Sequence, residues 1–230
     1  MRLHRFYIRE KIGSKTTLTI SYPEFINQWK RVFRLTPGND VILFDNSGFN
    51  FFAKIHEYGH STVTLSIFKS QENTIFPSRE IYLFASLIKK DNFEWITEKA
   101  VELGVSHIIP IISERSEKKN LNIERLEKII IEASEQSGRG TIPILHEIMD
   151  LKSSLINFTH IKSIAWDIDS TKFVSQDIVD STGAYIGPEG GWSSQEREFF
   201  KQHAVKIRSL GPQILRAETA VVAVLSHLVF

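Results

Sequence analysis

The 230-residue chain contains no cysteine. Disulfides and thiolate metal ligands are therefore excluded, and nothing implies an oxidising compartment. No apolar stretch reaches membrane-spanning length. Met1, Arg2, Leu3, His4 and Arg5 are followed by no long apolar run of the kind a secretory leader needs. A cytoplasmic protein with no membrane partner is the expectation. Common cofactor motifs are missing as well. No G-x-G-x-x-G follows a strand, which leaves an ordinary dinucleotide site unsupported. There is no G-x-x-x-x-G-K-[ST] phosphate loop, and the one H-E-x-x-H string, His56-Glu57-Tyr58-Gly59-His60, falls in a run read as strand and turn and not on the helix that such a zinc site needs. No metal site is expected. Internal repeats and low-complexity tracts are lacking too.

What is present has the balance of a globular domain, with 42% hydrophobic and 24% charged residues. The net charge of +1 hides an asymmetry. Residues 1–70 hold ten Lys and Arg against five acids, while the remaining 160 residues hold 18 against 22. A basic front on a mildly acidic body suits a polyanion partner, or else a solvated basic face.

The first 70 residues read as mostly β. A strand over 40–44 and another over 50–57 flank the turn at Asp45, Asn46, Ser47 and Gly48. Residues 62–67 alternate with period two. A short helix fits 23–33, with Pro23 in its first turn. Short strands with turns between them suggest a small barrel. Residues 70–78 lack a period and mark the boundary, which gives domains at 1–72 and 73–230.

Strands and helices then alternate. Strands are expected at 81–88, 105–112, 161–168, 184–186 and 205–208. Helices are expected at 92–103 with Asp91 as cap, at about 122–137 with Asn122 as cap, at about 194–201 with Ser193 or Ser194 as cap, and at 214–228. This alternation argues for an α/β fold with a mainly parallel sheet.

Two loops carry the densest glycine and proline signal. One reads Ile186-Gly187-Pro188-Glu189-Gly190-Gly191-Trp192-Ser193. The other reads Ser209-Leu210-Gly211-Pro212-Gln213-Ile214-Leu215-Arg216-Ala217-Glu218-Thr219-Ala220. Each follows a strand-like run and leads into a helix. Side by side at strand ends they form a ligand pocket, or they are two tight turns. Gln136 and Arg139, at the end of the central helix, either face a site or cap its last carbonyls. Arg216 and Glu218 open the most apolar helix, where unpaired charge is costly. Glu189 either caps the following helix or meets a ligand.

These residues also carry a family resemblance. The two loops together resemble the paired signature of SPOUT-class methyltransferases, and more narrowly the small-subunit ribosomal RNA uridine-N3 methyltransferases. Glu98-Lys99-Ala100-Val101-Glu102-Leu103-Gly104-Val105, Glu132-Ala133-Ser134-Glu135-Gln136-Ser137-Gly138-Arg139 and Met1-Arg2-Leu3-His4-Arg5-Phe6-Tyr7 agree with it, so the resemblance covers the whole chain. Two departures stand out. The histidines that often precede the family's Val-Leu-Arg run are absent from Asn27-Gln28-Trp29-Lys30-Arg31-Val32-Phe33-Arg34, although Arg34 is kept. The usual Arg-Trp before the central helix is replaced around Ile123-Glu124-Arg125-Leu126.

The resemblance implies a knotted SPOUT α/β domain behind an N-terminal PUA-like β-barrel that binds RNA. It implies S-adenosylmethionine held by Ile186, Gly187, Pro188, Glu189, Gly190, Gly191, Leu210, Gly211, Ile214, Leu215 and Arg216. It further implies a homodimer acting on N3 of a uridine in 16S rRNA of the small subunit, with no metal. Arg139 is the expected stabiliser of charge on the base, Gln136 its orienting group, and Glu135, Glu189 or Glu218 the proton acceptor. Arg2, Arg5, Arg9, Lys30, Arg31 and Arg34 are the expected phosphate contacts. A transfer-RNA methyltransferase and a catalytically silent RNA-binding protein are the alternatives.

Overall fold

The computed structural model describes residues 3–75, 79–116 and 120–230. Arg2 lies outside the described residues. The chain divides into two compact units, Met1–Phe76 with Ser134–Ile142, and Pro77–Ala133 with Pro143–Phe230.

The first unit is a five-stranded sheet with one helix. Its strands are β1 (Arg5–Tyr7), β2 (Thr17–Ile20), β3 (Asp40–Phe44), β4 (Phe49–Tyr58) and β5 (Val63–Glu72), and its helix is α1 (Pro23–Arg31). The strand order is β1-β3-β4-β5-β2, with β1 parallel to β3 and the other pairs antiparallel. Alternation sends Val41, Leu43, Phe51, Ala53, Ile55, Val63 and Leu65 inward. The α1 residues Ile26 and Trp29 are buried with them, and the Trp29 ring sits 4.4 Å from that of Phe6. Full burial of side chains this large is worth about 2–3 kcal/mol each.

Residues 70–72 continue β5 instead of opening a linker. Polar side chains on an exposed strand face look like a loop in sequence, but backbone pairing with β4 carries the strand on to Glu72. The short strands β1 and β2 were not foreseen.

The second unit is a seven-stranded sheet in which every pairing is parallel. Its strands are β6 (Glu80–Ser86), β7 (His107–Ile112), β8 (Ile144–Leu145), β9 (Met149–Asp150), β10 (Lys162–Trp166), β11 (Ser181–Ile186) and β12 (Lys206–Arg208). The order is β12-β10-β11-β6-β7-β8, with β9 also on β7. The central strands β6 and β11 are almost wholly buried, as strands covered on both faces must be. The helices are α2 (Lys90–Glu102), α3 (Ile123–Ser137), α4 (Leu151–Asn157), α5 (Ser194–Gln202) and α6 (Ala217–Val229). The last residues of α3, from Ser134, belong to the first unit.

Helix starts depart from the sequence reading at two places. Lys89 is the N-cap of α2 and Asp91 sits inside its first turn, where a carboxylate favours the helix dipole without capping. Helix α6 begins at Ala217, three residues later than expected, because Arg216 is extended at φ −64° and ψ 153°. Asn122 does cap α3, accepting from the Arg125 N–H at 3.1 Å. Ser193 caps α5 in a reciprocal capping box with Glu196. Among the described residues no helix is long and apolar enough to cross a membrane.

Candidate functional site

All-parallel sheets bind ligands beyond the carboxyl ends of their strands, where the connections diverge. A cavity of about 380 Å³ lies there in the second unit, within the range of small-molecule sites. Four strand ends supply its wall. Trp166 ends β10 and Asp167 and Asp169 follow it, the glycine-rich loop follows β11, residues 209–211 and 213–215 follow β12, and Arg115 follows β7. Arg197 of α5 and Ala217 and Ala220 of α6 complete it.

The first loop is held from below and from the side. Gly191 N–H donates to the Pro188 carbonyl at 2.8 Å, and Gly191 sits at φ +65°, a left-handed conformation that suits glycine. A Cβ built at Gly191 would meet no atom within 4 Å, so that side of the loop is open to a ligand. Under the loop, Trp192 is 2% exposed and its Nε1 donates to the Trp166 carbonyl at 3.0 Å. A Cβ at Gly187 would come within 3.1 Å of that indole. At the side, Arg115 Nη1 donates to the Gly190 carbonyl at 2.6 Å.

The second loop is strapped to the connection after β10. Ser209 N–H donates to Thr171 O and Phe173 N–H to Ser209 O, both at 2.9 Å. Ser209 Oγ bonds both the N–H and the carbonyl of Gly211. One step back, Asp177 accepts from Arg208 Nε at 2.6 Å and from Lys206 Nζ at 2.8 Å. The Arg208 guanidinium, with help from Lys206, holds the Asp177 carboxyl down at about 2 against the desolvation that opposes it.

The cavity wall is polar as well as apolar. It carries three carboxylates (Asp167, Asp169, Glu189) and two guanidinium groups (Arg115, Arg197). Asp167 and Arg197 pair at 2.6 Å. Trp166 is 7% exposed, and its Nε1–H has no hydrogen-bond acceptor among the described residues. A buried donor without a partner is unfavourable, so a ligand acceptor placed there would be rewarded.

Of the expected cofactor residues, Ile186, Gly187, Glu189, Gly190, Gly191, Leu210, Gly211, Ile214 and Leu215 line this cavity. Pro188 is buried in the turn beneath it, and Arg216 is an exposed helix cap. Glu189 is exposed and caps nothing, since Ser193 and Glu196 occupy that role. Glu218 lies in the first turn of α6, with its Oε2 buried and without a hydrogen-bond partner among the described residues. Arg115, Trp166, Asp167 and Arg197 were missed. Asp167 and Arg115 each follow an apolar strand, and that position was the available signal.

Arg139 and Gln136 belong to the first unit, where the segment Ser134–Ile142 is tied down by several bonds. Tyr7 N–H donates to Glu135 Oε1 at 2.9 Å, Arg5 Nη2 to Arg139 O at 2.8 Å, and Asn73 Nδ2 to Gly138 O at 2.9 Å. Arg139 is 4% exposed, and burial lowers its guanidinium to about 10, which still leaves it charged at neutral pH. Gln136 is exposed, not buried in the helix stripe. Arg5 also donates to Asn50 Oδ1 at 2.8 Å, so it is engaged within its unit. Arg9, Lys30, Arg31 and Arg34 are exposed, with Lys30 Nζ 4.4 Å from the Tyr58 ring centre. Among the described residues, no group of three or more His, Cys, Asp and Glu side chains is placed to hold a metal ion.

The parallel sheet and this cavity are those of an α/β methyltransferase, and the family described as RNA methyltransferase domain matches residues 76–229. A curated relative from Aquifex aeolicus, "Ribosomal RNA small subunit methyltransferase E", is 30% identical, covering 98% of this chain and 99% of that protein. One of the same name from Rickettsia conorii is 29% identical over 99% of this chain and 95% of that one. The crystal structure of a ribosomal RNA small subunit methyltransferase E from Neisseria gonorrhoeae, bound to S-adenosyl methionine, is similar at a TM-score of 0.88. It is 28% identical, covering 98% of this chain and 96% of that one. The chain belongs to the RNA methyltransferase domain family, in the branch of ribosomal RNA small subunit methyltransferase E.

Proposed function

We propose that this protein methylates N3 of a uridine in 16S rRNA of the small ribosomal subunit, using S-adenosylmethionine. The observation that carries the reading is the cavity walled by the glycine-rich loop after β11 and the Gly-Pro loop after β12, at the ends of parallel strands, in a chain of this family. Its residues fit the cofactor. Gly191 leaves the backbone open to close approach, and the buried Trp166 N–H lacks an acceptor. Gly187, Gly190, Gly191, Gly211, Ile214 and Leu215 would hold the cofactor, with Asp167 and Glu189 as further polar groups. The cofactor supplies a methyl group bound to a sulfonium.

The protein's own residues then handle the base. Uridine N3 is about as acidic as a phenol, so cationic hydrogen bonds to O2 and O4 suffice to favour its deprotonated form. Arg139 is the proposed cation and Gln136 the group that orients the base. Glu218, Glu135 and Glu189 are the candidate acceptors for the N3 proton. N3 lies on the Watson–Crick edge, so the base must be unpaired or turned out of its stack.

We infer further that residues 1–72 act as a PUA-like RNA-binding barrel, with Arg2, Arg5, Arg9, Lys30, Arg31 and Arg34 toward phosphates, and 73–230 as a knotted methyltransferase domain. A homodimer is supported by the apolar α6 and by the exposure of Ile214 (88%) and Phe230 (89%) beside it. The place of action is the cytoplasm. Calorimetric titration of the protein with S-adenosylmethionine tests the enzyme reading. A single saturable site is expected, and absence of binding would overturn it.

A further inference from the structure

The outer face of the first unit carries two phenylalanines that its core does not use. Strand β4 pairs with β5 through a register shift, in which Phe52 lies opposite Lys69 and the next residue, Ala53, lies opposite Ile67. Phe68 is the extra residue of this bulge. Bulges re-aim side chains, and here the alternation runs on through the partly buried Ile67 and the exposed Phe68 and breaks at Lys69, which is exposed as well. Phe68 is 58% exposed, and its ring lies 6.5 Å from that of the partly buried Phe52 at 47°. Lys69 Nζ sits over the Phe52 ring, 5.0 Å from its centre. Among the described residues Lys69 has no carboxylate partner, whereas Lys54, next along the outer row of β4, is paired with Asp40 at 3.4 Å.

Two neighbouring rings on one strand pair, with an unneutralised ammonium against one of them, match what an unpaired nucleotide offers. A base presents a π-face, and its phosphate presents a negative charge within reach of the lysine. Residues 1–76 hold ten basic against six acidic side chains, so the surrounding field favours a polyanion.

We propose that Phe52, Phe68 and Lys69 form a stacking platform for a single-stranded RNA segment flanking the methylated uridine. The proposal rests on the reading of an RNA substrate and names a surface for it outside the cofactor cavity. A platform of this kind binds by stacking and charge, with little dependence on base identity, and discriminates against a duplex whose bases are already stacked.

The test uses the full chain and a fluorescently labelled single-stranded oligouridylate followed by anisotropy, with S-adenosylmethionine titration as the control for an intact second unit. Phe68→Ala is expected to weaken oligouridylate binding roughly tenfold and Phe68→Trp to retain it. Lys69→Gln is expected to flatten the salt dependence by about one unit of slope. Cofactor binding is expected to stay unchanged in all three. Equal binding by wild type and Phe68→Ala would overturn the platform alone. A change of oligomeric state in Phe68→Ala with RNA affinity intact would also overturn it, by assigning the face to a second copy. Failure of the wild type to bind the strand at all, with cofactor binding intact, would remove both the platform and the RNA reading beneath it.

Discussion

Arg115 Nη1 donates to the carbonyl oxygen of Gly190 at 2.6 Å, and its side chain lies against the same residue. A Cβ at Gly190 would stand 3.2 Å from Arg115 Cδ, so a side chain there would need Arg115 to give way by a few tenths of an ångström. Arg115 therefore braces the loop after β11 and is also a cation in the cavity wall. Arg115→Ala is expected to weaken S-adenosylmethionine binding roughly threefold to tenfold, the worth of one such hydrogen bond. Calorimetry checks this, and unchanged affinity would mean that the loop holds its shape unaided.

Glu196 makes a second connection between the same two segments. One carboxylate oxygen accepts the Ser193 N–H in the capping box, and the other accepts the Glu114 N–H, each at 2.8 Å. The residue is 4% exposed, so removing the carboxylate strands buried donors. Glu196→Ala is expected to lower unfolding stability by about 2–4 kcal/mol, read as a drop in the urea midpoint. Glu196→Gln keeps one acceptor and should fall between.

The Asp177 cluster gives a pH signature. Its carboxyl is held at about 2 in the folded protein, below the ordinary value of 3.8, chiefly by Arg208 and then by Lys206. The stability it contributes is present in full above about pH 4 and is lost as pH falls toward 2. Asp177→Asn should therefore melt below wild type at pH 7 and at pH 5, and the gap should close between pH 4 and pH 2. A gap that persists at pH 2 would show that packing, not charge, makes the difference.

Arg139→Ala separates the proposed chemistry from cofactor binding. The guanidinium remains charged at neutral pH despite its burial. Its loss is expected to reduce methyl transfer by about two orders of magnitude, as removal of one charge-stabilising group does. S-adenosylmethionine affinity should be unchanged. Undiminished turnover would remove Arg139 from the mechanism.

Much of the second unit was legible because its signals are local. The runs that became β6 and β7 are largely continuous and apolar, the last three residues of β11 were read as a strand while Ser181, Thr182 and Gly183 were not, and the Gly-Pro loops announce themselves by composition. What could not be read depends on which strands become neighbours. Trp166 meets Trp192, and Arg115 meets Gly190, only because β10 and β7 lie on either side of the β11–β6 pair. Nothing in the spacing of those residues carries that order. The first unit hid its short strands for the same reason. Strand β1 is three residues long and pairs with residues 42–44, so it has no period of its own to display. The bulge at Phe68 was also invisible, since one added residue in a strand leaves no mark in composition.

The central claim is methyl transfer to N3 of a uridine in small-subunit rRNA. Small subunits purified from cells lacking the gene, incubated with the protein and methyl-labelled S-adenosylmethionine, would be digested and their nucleosides separated by mass spectrometry. The account predicts label in N3-methyluridine from 16S rRNA. Label in any other nucleoside, or none while the protein still binds cofactor, would contradict it.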